Sequence, residues 1–149
     1  MRDAFGEQAT VLADAGAVGI VIETMSDIEE AVIAVAAANR TMTGVTPTQA
    51  AQRLAAAGAE VIGAGCGIGV EAAASICVEL ASATTLPVWI KPNAGGPELV
   101  GHEVVYRMTP AQFAGHVGAI LAAGADFVGG CSGTTPEFIA AVARANFGG

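Results

Sequence analysis

Two short stretches carry residues that can do chemistry together. One is "GAGCGIGVE", Gly63 to Glu71, and the other is "GGCSGTTPEFI", Gly129 to Ile139. Each sets a cysteine, Cys66 or Cys131, among glycines after an apolar run. A thiolate is a nucleophile and a soft metal ligand, so two convergent thiols suit zinc. Zinc lowers the pKa of a further bound thiol and so makes a nucleophile of it. The bland alternative is that each cysteine is a small apolar residue in a tight turn. The third cysteine, Cys77, lies within the helical pattern "AAASICVEL" and is expected to pack in the core. Three widely spaced cysteines make a poor disulfide framework and suit free thiols or ligands better.

Other candidates are single residues. Glu23 closes the apolar run "AVGIVIE". Its carboxylate suits a substrate ammonium group or, equally, a cap for the following helix. Lys91 and Asn93 follow the apolar "PVWI". Lys91 suits neutralising a neighbouring carboxylate better than forming a Schiff base. His102 lies in a long irregular segment, and His116 lies in "AQFAGHVGAIL", where packing or surface exposure accounts for it.

The elements that must position these residues repeat. "LADAGAVGIVIET" (Leu12 to Thr24), "LAAAGAEVIGAGC" (Leu54 to Cys66) and "LAAGADFVGGC" (Leu121 to Cys131) each read as the end of an Ala-rich helix, a glycine stop and a short apolar strand. With "LPVWIKP" the expected strands lie near 17–23, 60–65, 87–90 and 125–130. Expected helices lie near 2–15, 27–38, 47–57, 69–82, 110–122 and 135–145. Ser26 with Glu29 forms a capping-box pattern, and Thr46–Pro47, Thr109–Pro110 and Thr135–Pro136 each place proline after an N-cap threonine. Lys91 to Met108 is the longest expected irregular stretch, long enough to suggest function. Alternating helices and strands predict an α/β fold with parallel strands. Ligands of such folds bind at the carboxyl ends of the strands, where Glu23, Cys66, Lys91, Asn93, Cys131 and Ser132 are expected.

Composition narrows the function classes. The 149 residues are 53% hydrophobic, 13% charged and 5% aromatic, with a formal net charge of −8. Nucleic-acid binding needs a basic face, which this balance does not supply. No basic amphipathic stretch suits an anionic membrane, and no apolar run approaches the roughly 18 residues of a spanning helix. The first residues, "MRDAFGEQAT", lack the apolar segment of a signal peptide, so a cytoplasmic location is expected. No dinucleotide-binding or P-loop glycine pattern follows the first strand.

In order along the chain, "GIVIETMSDIEEAVIAV", "GAGCGIGVE", "LPVWIKPNAGGPELVGHEVVYRMTPAQFA" and "GGCSGTTPEFI" together resemble the zinc-dependent homocysteine S-methyltransferase family. The family's last-strand pattern is GGCCGTTPEHI, and its earlier motif is G-x-N-C followed by glycine. The resemblance implies a (β/α)8 barrel in which three cysteine thiolates hold zinc and the homocysteine sulfur attacks a donor methyl group. It assigns Cys66 and Cys131 as metal ligands. Ser132 takes the place of the third cysteine, and Gly65 that of the asparagine. Glu23 matches the glutamate that binds the substrate amino group, with Asn93 as a further substrate contact.

The resemblance also implies one domain over residues 1–149, a partial TIM barrel matching the fourth, sixth, seventh and eighth units. The early units would be missing, and so would an internal strand at the Asn39–Arg40 junction. A homo-oligomer or partner chain is then expected to complete the barrel. The implied donors are folate, betaine, S-methylmethionine or a corrinoid protein; no D-x-H-x-x-G cobalamin pattern is present, so a corrinoid would arrive on another protein. Two other readings stay open: a non-catalytic binding or assembly subunit, and a relative using another thiol acceptor or a corrinoid-linked donor.

Overall fold

The computed structural model describes residues 2–23, 31 and 46–148. The chain forms two compact units, Met1–Glu60 and Val61–Gly149.

The first unit contains helices α1 (Arg2–Asp14) and α2 (Pro47–Ala56). Helix α2 starts at Thr46, whose hydroxyl accepts the Gln49 N–H at 3.2 Å while the Gln49 side chain accepts the Thr46 N–H at 3.1 Å. This capping box satisfies two orphan donors, and Pro47 takes the position where a missing N–H costs nothing. The strand expected at 17–23 is not formed: Ala17–Glu23 is irregular, and Val18 is fully exposed. An apolar run becomes a strand only when a ladder satisfies its backbone, and no strand pairs with it among the described residues. The helix near 27–38 and its Ser26–Glu29 cap, Thr24 and the Asn39–Arg40 junction lie outside the described residues, residue 31 apart.

The second unit holds the sheet. Its elements are β1 (Ile62–Gly69), α3 (Val70–Ala83), β2 (Val88–Asn93), β3 (Pro97–Val100), β4 (Glu103–Tyr106), α4 (Pro110–Ala122), β5 (Phe127–Val128) and α5 (Pro136–Asn146). Strands β1, β2 and β5 form a parallel sheet with β2 in the centre. The α/β class with parallel strands is therefore as expected, and α3 and α4 follow their expected bounds closely.

The expected irregular segment after Lys91 is structured. Strand β2 runs on to Asn93, and β3 and β4 then pair as an antiparallel hairpin, with Leu99 opposite Val104. Two four-residue strands joined at Gly101–His102 carry neither the length nor the Asn-Gly or Asp-Gly turn that signals a hairpin.

The core lies between sheet and helices. Val88 and Ile90 of β2 and Ile62 of β1 are buried with Val70, Ala73, Cys77 and Leu80 of α3. Those four helical positions follow the spacing of one helix face. Phe113 of α4 meets Phe138 of α5 edge to face at 5.5 Å. Cys77 is core packing as expected, its thiol reaching the Ile120 carbonyl at 3.7 Å. Burial first, and the Asp126 charge second, push that thiol's pKa up. No described helix is long and apolar enough to cross a membrane.

The repeated phrase has one physical meaning. Gly16, Gly58 and Gly124 have φ of 90°, 98° and 101°. Each ends a helix with the same pair of bonds, shown by Ala59 N–H to Leu54 C=O and Gly58 N–H to Ala55 C=O. This helix stop needs a left-handed residue, which glycine supplies without strain.

Candidate functional site

Cys66 and Cys131 reach the same place by different routes. Ile62 to Gly65 pair in register with Val88 to Lys91, but the register then slips, and Gly69 next pairs with Asn93. Four residues of β1 therefore span what two residues of β2 span. The surplus residues, Cys66 among them, form a bulge, and Cys66 is exposed. Bulges of this kind re-aim a side chain. The approach of β1 to β2 leaves no room at Gly65, where a Cβ would lie 2.9 Å from the Lys91 carbonyl oxygen.

Cys131 arrives from beyond β5. Backbone pairing to β2 outlasts the short strand: the Gly129 N–H bonds Ile90 C=O at 2.9 Å, and the Cys131 N–H bonds Pro92 C=O at 3.0 Å. The Ser132 carbonyl then accepts the Ala94 N–H at 3.0 Å. Asn93 is the buried polar residue beside this turn, and its Oδ1 accepts the Ser132 N–H at 3.2 Å. Thr134 closes the turn, donating its N–H at 3.1 Å and its hydroxyl at 2.6 Å to the Cys131 carbonyl. Cys131 is half-buried.

Three donor atoms converge here. The Cys66 sulfur lies 3.9 Å from the Ser132 hydroxyl oxygen. Desolvation pushes the Cys131 thiol up. Hydrogen bonds to its sulfur from the Cys66 thiol, the Ser132 and Cys66 backbone and the Ser132 hydroxyl outweigh that and hold Cys131 below the usual thiol range. A zinc ion with one sulfur and one oxygen ligand would hold them about 3.6 Å apart in a tetrahedron, close to the Cys66–Ser132 separation. That one separation is what two ligands of a tetrahedral zinc ion would show. No group of three or more His, Cys, Asp or Glu that could hold a metal occurs among the described residues. Beside Cys66 and Cys131 the third donor is the Ser132 hydroxyl, a far poorer ligand than a thiolate.

The remaining candidates separate. Glu23 is exposed and belongs to the first unit. Lys91 places its ammonium 5.3 Å from the Trp89 ring centroid. His102 is exposed at the hairpin turn. His116 lines a cleft of about 410 Å³ with Glu71, Glu98, Arg107 and Gln112. Ala94 also lines that cleft and bonds Ser132, so the cleft adjoins the thiol turn. Sequence reasoning passed over Thr134 and the anchoring role of Asn93. The only available signal was a small polar residue three positions after Cys131.

Comparisons with known proteins come from three directions. A family model described as homocysteine S-methyltransferase matches residues 1–146. Methionine synthase from Mycobacterium leprae is 31% identical over 175 residues, covering 99% of this chain and 14% of that protein. Methionine synthase from Mycobacterium tuberculosis is 30% identical over 168 residues, covering 97% of this chain and 14% of that protein. The first alignment is longer than the 149-residue chain, so the relative carries residues with no counterpart here. Among solved structures, the metallated form of the homocysteine methyltransferase MmuM from Escherichia coli matches with a TM-score of 0.66 and 24% identity. That match covers 95% of this chain and 51% of the other, a likeness of fold.

Proposed function

Because the chain belongs to the homocysteine S-methyltransferase family, we propose that it carries the metal-binding half of a methyltransferase whose acceptor is the thiol of homocysteine. The observation that carries this reading is the convergence of Cys66, in the bulged part of β1, with Cys131 and Ser132, in the turn after β5, the two strands that flank β2. In this reading the chain is part of a (β/α)8 barrel, completed by a second copy or a partner chain, and works in the cytoplasm.

Cys66 and Cys131 are the thiolates that would hold zinc. When bound, zinc supplies a Lewis acid that keeps an incoming thiol deprotonated at neutral pH. The substrate sulfur then attacks the donor's methyl carbon: a sulfur–carbon bond forms as the bond to the leaving group breaks, and the bonding pair departs with the donor. The donor is a folate, betaine, S-methylmethionine or a corrinoid protein. Asn93 holds the Ser132 N–H and so fixes the turn on which Cys131 stands; it is also our candidate for a substrate contact. By the family resemblance alone, Glu23 is the candidate for a substrate ammonium group. Ser132 keeps its proton and serves as a hydrogen-bond donor beside the thiolates.

A second reading rests on Ser132. With one thiolate replaced by a hydroxyl, zinc is held too weakly for turnover, and the chain acts as a binding or assembly subunit. Metal analysis of purified protein separates the two. The enzyme reading expects zinc at one equivalent in wild type and its loss in Cys66→Ala. Metal-free wild type with stoichiometric zinc in Ser132→Cys establishes the degenerate site. Zinc retained after both cysteines are removed defeats the ligand assignment.

A further inference from the structure

The turn that carries Cys131 is held by more than β2. Gly133 has φ of 80°, and a Cβ built there would lie 2.2, 2.6 and 2.7 Å from Cγ, Cδ1 and Cδ2 of Tyr106. The Tyr106 ring therefore occupies the place where any side chain at 133 would go. Tyr106 ends β4, and its hairpin is otherwise open to solvent: Leu99 is 75% exposed and Val104 62% exposed, whereas Tyr106 is half-buried. Two features hold Tyr106 in place. It pairs with Pro97 across the hairpin, and the next residue, Arg107, forms a 2.5 Å ion pair with Glu98. Two residues further on, Thr109 caps α4 with a full capping box.

We propose that Tyr106 is a positioning residue for the thiol site, its ring clamping the Cys131–Thr134 turn at Gly133. Strand β2 fixes the turn through Cys131, Ser132 and Ala94, and Thr134 closes it from within. Those bonds leave the Gly133 corner to the ring. A soft-metal site needs its sulfur donors held to a few tenths of an ångström, and groups that orient ligands matter nearly as much as the ligands. The hairpin thus carries an aromatic side chain to the back of a metal-binding turn. The contact is made by ring carbons, so the phenol hydroxyl is dispensable.

The metal arm of the test rests on the zinc reading above; the thiol arm does not. In the metal-free 149-residue chain, iodoacetamide modification of Cys131 is followed peptide by peptide by mass spectrometry. Tyr106→Ala should change the Cys131 rate several-fold, while Tyr106→Phe and the hairpin control Leu99→Ala keep the wild-type rate. With cobalt(II) as probe, Tyr106→Ala should weaken the ion's affinity by about 10- to 100-fold, judged by the thiolate-to-cobalt absorption band, and Tyr106→Phe should retain it. Should Tyr106→Ala fail to fold by circular dichroism, Tyr106→Leu is read instead, with a smaller change in the same direction. An unchanged Cys131 rate in a folded Ala or Leu variant overturns the proposal, and so does Tyr106→Phe behaving like Tyr106→Ala. If no protein binds cobalt but the Cys131 rate responds to loss of the ring, the clamp stands and the metal reading falls.

Discussion

Cys131 differs from an ordinary surface thiol in what surrounds its sulfur. Burial alone would raise its pKa, and the hydrogen bonds from Cys66 and Ser132 reverse that. Cys77, buried against Ile120 and near Asp126, moves the other way. The lowered value has a linkage consequence in the metal-free chain. Between the folded value and the ordinary thiol value, the unfolded chain binds more protons at residue 131 than the native chain. The contribution of Cys131 to stability is therefore complete above the ordinary thiol pKa and is lost as pH falls through the lowered folded value. Urea unfolding of wild type and Cys131→Ser across that window should show a gap that widens as pH rises. A gap that narrows contradicts the hydrogen-bond account. The thiols stood out in the sequence as cysteines among glycines beside apolar runs, but a small residue in a tight turn reads the same way, and only the family motifs singled Cys66 and Cys131 out as ligands. The anchoring role of Asn93 and the place of Tyr106 were not legible, because a turn anchor and a ring over a glycine exist only once strands and hairpin are assembled.

At the scale of elements, local chemistry was read well where a motif acts on its own backbone. Thr46 and Thr109 begin helices through capping boxes, each followed by proline at the first helical position. Thr135 has the same sequence signature and a different outcome. Its hydroxyl donates to the Glu137 carboxylate, holding that acid's pKa down, and makes no bond to the helix backbone. Thr109→Ala should therefore cost about 1 kcal/mol, the usual worth of an N-cap side chain, and Thr135→Ala distinctly less. Thermal or urea melts of the two variants side by side check this; equal losses would mean that the cap bond is not what stabilises α4. Reading failed where an element depends on a distant partner. The run at 17–23 has the composition of a buried strand but pairs with no described strand, and the hairpin was hidden in strands of four residues.

The whole molecule raises a problem that the resemblance to a barrel family foreshadowed. Within the second unit one face of the sheet is the core: Val88 and Ile90 are buried, with α3 packed on β1 and β2. The alternate residue Trp89 faces the other way, 6.2 Å from the ring of Phe127, which is 50% exposed. The sheet ends at β1 and β5, and neither outer edge pairs with another described strand. Open parallel edges beside an aromatic pair recruit other chains or segments, because unpaired backbone and apolar surface are both costly in water. The chain also spans only 51% of the solved methyltransferase whose fold it shares. The α/β class was legible from alternating helix and strand patterns; closure of a barrel was not, since it depends on more strands than those paired among the described residues. Light scattering coupled to size-exclusion chromatography should thus report a mass above the 14.7 kDa of one chain. Phe127→Asp, which sets a charge on the exposed member of the aromatic pair, should lower that mass if this face is the contact. A wild-type chain that elutes as a stable, monodisperse monomer would show that the sheet needs no partner, and the barrel-completion reading would fall with it.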